Sequence, residues 1–325
     1  MTTYSNLSAG VIGFGSIGKR HIDNLLNLGL NTITLLRVRN SKSHSGFLEV
    51  NNFEDFVGSG LDFVIISNPT ALHYEFLSKL LNLNCNIFCE KPLVANLIEA
   101  ISVKESLTLY SGISATAFNM RFHPVIIRLK DILESNIFGK VLHARLFVGQ
   151  YLPDWRPNID YSESYSAIRE LGGGVTLDLV HEIDLAIFLF GKPDNEFKSI
   201  SGKYSNLKIN TEDITEIIYK SKSGNLISIH LDYIYRGYKR KIEIITEKCN
   251  INCDLFKNEI SIIDEKGLTI EVYNFEEFNR NDMYYDLIKS YLDSIQLKKE
   301  FTPNLKDGLE SNLIALDVLK TNGII

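Results

Sequence analysis

The chain has 325 residues, 45% of them hydrophobic and 23% charged, with a formal net charge of −6. That length suggests about two domains, and the balance is ordinary for a globular enzyme. The acidic balance offers no basic excess for nucleic acid or an anionic membrane surface, and no apolar run approaches the ~20 residues of a membrane-spanning helix.

The first eight residues are short and polar, without the apolar core of a signal peptide. Cys85, Cys89, Cys249 and Cys253 fall into two C-x-x-x-C pairs, which match no zinc spacing. They read as reduced, mostly buried thiols of a cytoplasmic protein, with no metal site.

Ala9–Ile12 is an apolar run of the right length for a buried strand. Gly13-Phe14-Gly15-Ser16-Ile17-Gly18 follows it, and then a helical segment to about Leu28. Strand, glycine turn and helix in that order give G-x-G-x-x-G its meaning as a dinucleotide cradle. Gly13 allows the tight turn, Gly15 lets a pyrophosphate approach the backbone, and Gly18 lets helix pack on strand. The anion then sits at a helix N-terminus.

Thr32–Leu36 reads as the second strand. A fold that binds NAD usually places an acid near its end to hold the ribose 2′-OH. No Asp or Glu occurs between Asp23 and Glu49, and the strand runs into Arg37, Arg39 and Lys42. Guanidinium groups suit a 2′-phosphate, which favours NADP over NAD, unless they are simply solvated charges.

Leu61–Ser67 is the next strand, stopped by Asn68-Pro69-Thr70. Asn68 either touches a cofactor or caps the helix that begins at Ala71, and His73 on its first turn reads as packed or capping. Asn86–Cys89 runs into Glu90-Lys91-Pro92, a charge pair at a strand's C-terminal end, which is either a surface ion pair or a site. Ile113–Phe118 is the last strand of the parallel set, followed by Asn119, Arg121 and a helix from Pro124 to about Leu133. The βα alternation stops there.

The expected architecture is therefore α/β: a doubly wound Rossmann domain over residues 1–121, then an α+β domain over 122–325. The latter combines an open, mostly antiparallel sheet with substrate binding and self-association. Val141–Tyr151 alternates as a strand, and residues 152–165 form an irregular aromatic loop with Trp155 and Arg156. Trp155 offers a stacking face for a sugar ring, and Arg156 a fork for a carboxylate or phosphate. The alternative is a packing loop or oligomer contact. Gly172-Gly173-Gly174 precedes a helix expected from about Val175 to Phe190, which would put Asp178, His181 and Asp184 on one face. His181 among carboxylates suits acid/base work near neutral pH, or else a structural hydrogen-bond network.

Strand-like runs follow at Phe197–Tyr204, Ile214–Lys220, Leu226–Ile234, Lys241–Thr246, Glu259–Ile263 and Leu268–Val272. Ile217, Ile227, Ile229 and Leu231 would form an apolar outer face, implying a homodimer or homotetramer. Helices at about 282–296 and 307–321 close the chain, the last packing back on the first domain.

On Gly13-x-Gly15-x-x-Gly18, Ser67-Asn68-Pro69 with His73, Glu90-Lys91-Pro92, Asn119-x-Arg121 and Gly172-Gly173-Gly174 with Asp178, His181 and Asp184, the chain resembles the Gfo/Idh/MocA family of NAD(P)-dependent oxidoreductases. The resemblance spans essentially the full length. It implies that Phe14, Ser16, Ile17, Asn68, Pro69, His73, Glu90 and Asn119 border the dinucleotide. It implies that Lys91 contacts the substrate oxygen and the nicotinamide ribose, that His181 moves the proton, and that Asp178 orients the sugar or the histidine. Arg121, Trp155 and Arg156 would complete a sugar-type substrate site. Lys91-Pro92 is often cis in such proteins. Many members space the aspartate and histidine by four residues, and this chain spaces them by three. The 151–167 loop resembles members linked to bacterial surface-glycan pathways. A redox-assisted glycoside hydrolase and a non-enzymatic cofactor sensor are the rival functions.

Overall fold

The computed structural model describes residues 4–37, 47–156 and 158–325. Arg39 and Lys42 lie outside the described residues. The chain divides into two compact units: 1–119 with 281–312, and 120–280 with 313–325.

The first unit opens with β1 (Ser8–Ile12), α1 (Ser16–Asn27), β2 (Thr32–Leu36), β3 (Leu48–Val50) and α2 (Phe53–Gly58). It continues with β4 (Phe63–Ile66), α3 (His73–Asn82), β5 (Asn86–Cys89), α4 (Leu97–Ser106) and β6 (Ser114–Thr116). The strands make one parallel sheet in the order β3-β2-β1-β4-β5-β6. This is the doubly wound order whose direction reverses between β1 and β4. The central strand β4, Phe-Val-Ile-Ile, is short and apolar because both its faces are covered, and it is buried at all four residues.

The second unit begins with α5 (Pro124–Ser135) and β7 (Val141–Gln150), then α6 (Val175–Asp178) and α7 (His181–Phe190). β8 (Pro193–Gly202), β9 (Ile214–Ser221), β10 (Leu226–Asp232), β11 (Tyr238–Thr246), β12 (Asn250–Asp254), β13 (Glu259–Ile263) and β14 (Thr269–Asn274) follow. They form an eight-stranded sheet in the order β14-β13-β12-β11-β7-β10-β9-β8. Only β7 and β10 pair in parallel; the rest is antiparallel. α8 (Asp282–Leu297) returns to the first unit, and α9 (Leu305–Thr321) begins there and ends in the second. Among the described residues no helix is long and apolar enough to cross a membrane.

Two expectations are corrected. Ile217, Ile227, Ile229 and Leu231 do not form an outer face: all four are buried on the side of the sheet that α6 and α7 cover. The alternation is real but its direction is inverted, because a strand's period of two does not say which face meets the helices. The outer face instead carries Glu216, His230 and Phe147, with Ile218 and Ile245 exposed. The second correction concerns the helix expected over 175–190. It is two helices, broken at Leu179 and Val180 between Asp178 and His181, so these residues do not share one continuous face. Gly174 starts α6 at φ 117°, where the Thr176 N–H donates to the buried Glu212 carboxylate at 2.9 Å. α6 ends after one turn, because its C-cap Leu179 leaves the helical region at φ −100° and ψ 27°.

Candidate functional site

In the first unit the glycine turn is shaped as its sequence requires. Gly13 has φ +94°, and a Cβ there would meet the Asn68 backbone nitrogen at 2.5 Å. A Cβ on Gly18 would meet the Gly13 carbonyl oxygen at 2.2 Å, so helix and turn touch backbone to backbone. Around Gly15 there is open space, with nothing within 4 Å of an added Cβ. Gly15 is the N-cap of α1, with no side-chain cap and no acid in the first turn, so the N–H groups are left for an anion. Ser67 braces the turn from β4: its hydroxyl donates to Ile12 and Gly13 carbonyls at 3.1 and 2.9 Å. A dinucleotide pyrophosphate fits this cradle.

Arg37 leaves β2 with its guanidinium 5.2 Å from the Phe14 ring centroid, and Lys19 stands 5.2 Å from the same ring. A half-exposed aromatic with two cations over it borders the turn. Asn68, at the C-terminal end of β4, does not cap the following turn. Its amide donates to Leu72 carbonyl at 3.3 Å, and its buried Oδ1 has no partner among the described residues. That atom is the kind a ligand donor satisfies. Pro69 is the N-cap of the single turn Thr70–Leu72.

His73 is buried, its Nδ1 2.9 Å from the Pro92 carbonyl and its Nε2 2.8 Å from that of Asn68. Burial holds it below the ordinary histidine range, against the pull of those two carbonyls. A neutral ring donates to one of them, and both nitrogens face backbone rather than open space. Glu90 is nearly buried. One oxygen lies 2.7 Å from His21 Nε2, and the other accepts from Lys91 N–H at 3.3 Å. Lys91 follows β5, half-buried, with the Lys91-Pro92 bond cis as expected. Asn119 is buried at the start of the turn Asn119–Phe122.

The second unit holds the other group of expected site residues. The glycine run is dictated by packing. A Cβ on Gly173 would meet the Tyr165 carbonyl at 2.1 Å, and one on Gly174 the Glu212 carboxylate at 2.6 Å. Glu212 is pushed up by burial, partly offset by the Thr176 N–H. Asp178 closes α6 and is buried. Tyr233 donates to it at 2.6 Å, and Tyr165 also hydrogen-bonds it. Both tyrosines are held far above their ordinary range, Tyr165 by the Asp178 charge first and Tyr233 by burial first. His181 opens α7, half-buried. Asp184 is gripped by Arg121 through Nε at 2.9 Å and Nη2 at 2.6 Å. Glu182 is gripped in the same way by Arg240, at 2.5 and 2.8 Å. Trp155 stands edge-on to Tyr233 and donates to the Gln150 carbonyl, while exposed Arg156 lies over the Tyr165 ring at 5.3 Å.

The Arg121 fork is thus engaged on two nitrogens by Asp184, which leaves Trp155 and Arg156 as the more open pair. Sequence reasoning passes over His21, Tyr233 and Arg240. His21 carries a signal, a polar residue on the buried stripe of α1 with Gly18, Ile22, Asn24 and Leu25. Tyr233 and Arg240 carry none, since their partners lie 55 and 58 residues away.

The model of the oxidoreductase family with an NAD-binding Rossmann fold matches residues 7–113, and that of the GFO/IDH/MocA C-terminal domain matches residues 126–252. The chain is 27% identical over 316 residues to myo-inositol 2-dehydrogenase of Thermotoga maritima, covering 92% of this chain and 88% of that one. Its fold is similar to that of a levoglucosan dehydrogenase in complex with NADH and L-sorbose, with a TM-score of 0.86 at 16% identity, covering 98% and 97%. It is also similar to a UDP-N-acetylglucosamine 3-dehydrogenase from Acidithiobacillus ferrooxidans, with a TM-score of 0.78 at 17% identity and 98% of each chain.

Proposed function

The chain belongs to the Gfo/Idh/MocA oxidoreductases, and from that premise we propose that it moves a hydride between a nicotinamide dinucleotide and a carbon of a sugar derivative. One observation carries the reading. The glycine turn after β1, Asn68 after β4 and Lys91 after β5 stand at the C-terminal ends of three neighbouring parallel strands. The direction of the sheet reverses among them, and that is where doubly wound sheets bind ligands.

The bound dinucleotide supplies the hydride acceptor or donor. In our reading Lys91 donates a hydrogen bond to the reacting oxygen, favouring the charge that grows there. His181 takes the hydroxyl proton during oxidation and returns it during reduction. Asp178, fixed by two tyrosines, orients the sugar or the histidine. Arg37 and the absence of an acid after β2 support a preference for NADP. Trp155 and Arg156 support an anionic sugar, such as a sugar acid or nucleotide sugar, as in a surface-glycan route in the cytoplasm. The relatives act on a polyol, an anhydrosugar and a nucleotide sugar, as their names say, and this widens the range to be assayed. We also propose a homodimer or homotetramer through the outer sheet face, which the exposed Ile218 and Ile245 support.

The test is turnover of myo-inositol, levoglucosan and UDP-N-acetylglucosamine with NADP or NAD, followed at the nicotinamide absorbance band. Lys91→Ala and His181→Ala are each expected to lower kcat by about 100-fold or more. Wild-type rates in both variants would overturn the assignment, and turnover without net cofactor reduction would favour redox-assisted hydrolysis instead.

A further inference from the structure

Lys91 stands between two neighbours that are each held by a buried histidine. Pro92 lies against His73, the first residue of α3, and Glu90 lies against His21 of α1. The second contact is the more unusual. His21 is fully buried on the face of α1 that also buries Gly18, Ile22, Asn24 and Leu25. An apolar residue would fill that position without a desolvation cost, so packing alone does not explain an imidazole there. The ring meets Phe88 edge-on, at 5.1 Å between centroids, and its Nε2 lies 2.7 Å from Glu90. Its Nδ1 is buried with no partner among the described residues. A carboxylate oxygen accepts, so Nε2 is the nitrogen that donates, to Glu90.

Glu90 therefore has both oxygens committed, one to α1 through His21 and one to the Lys91 N–H. A nearly buried carboxylate is costly unless donors surround it, and His21 is the donor that fixes its rotamer. We propose that His21 is a positioning residue for Lys91, acting through Glu90. It ties the helix that closes the dinucleotide turn to the backbone from which Lys91 projects. This rests on the reading of Lys91 as the residue that meets the reacting oxygen.

The test is amide hydrogen exchange, resolved to the Glu90–Lys91 segment, on the full chain as wild type, His21→Leu and His21→Gln. NADH and NADPH binding are read in parallel by nicotinamide fluorescence. His21→Leu is expected to speed exchange at Lys91 by about tenfold or more, with β1 and β4 unchanged and both dinucleotides bound within about threefold of wild type. His21→Gln keeps a donor and is expected to restore slow exchange. Unchanged exchange in the leucine variant would overturn the proposal, and so would acceleration spread evenly over the unit. A glutamine variant as fast as leucine, or failure of both variants to fold, would make His21 a core residue only. Lys91→Ala separates the two claims: wild-type turnover in that variant would refute the role of Lys91, while the exchange result would still decide whether His21 holds its backbone.

Discussion

Tyr233 donates its hydroxyl to Asp178 at 2.6 Å, with both side chains buried. The bond joins the residue that follows β10 to the one-turn helix α6, and with Tyr165 it gives a buried carboxylate two donors. Tyr233→Phe is expected to cost about 1.5–3 kcal/mol of stability, since a bond to a charged group is lost in a dry site. Urea unfolding at neutral pH measures this. A cost below about 0.5 kcal/mol would show that Tyr165 alone satisfies Asp178.

Arg121 and Asp184 make the sharper stability prediction. Their side chains are 8% and 0% exposed, so removing either one costs a buried charge its bidentate partner. Arg121→Met is expected to cost about 3–5 kcal/mol. The double variant Arg121→Met/Asp184→Leu is expected to recover most of that, because no charge is left stranded. A double-mutant cycle by chemical denaturation checks the coupling.

Two histidines of the second unit give stability opposite slopes with pH. His123 caps α5 by accepting from Val125 N–H at 3.2 Å, and burial, then the Arg240 charge, lowers it to about 4. Its native pKa is depressed, so its contribution is complete above about pH 6.5 and is lost as pH falls towards 4, by about 3 kcal/mol. His230 is different. Burial works against its charge, but its bonds to Asp232 and Glu216 prevail and raise it to about 9. Its contribution is complete below about pH 6.5 and is lost as pH rises through 9. Thermal melting across pH 4–10 is expected to peak near neutrality. His123→Asn, which keeps a capping oxygen, is expected to flatten the acid side and leave the alkaline side as it was.

Nicotinamide fluorescence titrations test the cradle. Arg37→Ala is expected to weaken NADPH binding by about tenfold or more, the worth of one charge-assisted hydrogen bond, and NADH binding by less than about threefold. Gly18→Ala is expected to abolish binding of both, because its Cβ would stand 2.2 Å from the Gly13 carbonyl. Equal loss of the two cofactors in Arg37→Ala would remove the argument for NADP.

The first sheet is legible because its signals are local. Val11, Ile12 and the glycine turn, or Ile65, Ile66 and Asn68, lie within a few residues of one another. β3 and α2 do not stand out, because three strand residues and a six-residue helix carry little periodicity. β12 is hidden because Asn250, Asn252 and Asp254 fill its outward positions with residues that disfavour strands. The family resemblance singles out Asp178, His181, Asp184, Glu90 and Lys91. What it leaves unread is their surroundings. Tyr233 and Arg240 are brought to Asp178 and Glu182 by the fold, with nothing in their own neighbourhood to mark them. His21 is marked only as a polar residue on a buried stripe, which does not say that Glu90 is its partner.

The first unit closes over a residue from near the end of the chain. Tyr291 of α8 is buried edge-on against Phe63 and Phe88, the aromatic centres of β4 and β5, and against Phe301. A ribosome that has released residues 1–119 has therefore made every strand of the dinucleotide sheet, yet not the ring that seals it. Until α8 emerges, Phe63 and Phe88 lack that cover, and the nascent domain is open to proteases and chaperones. A stop codon between residues 119 and 291 would leave the cell with a complete glycine turn on a domain whose Phe63 and Phe88 stay uncovered.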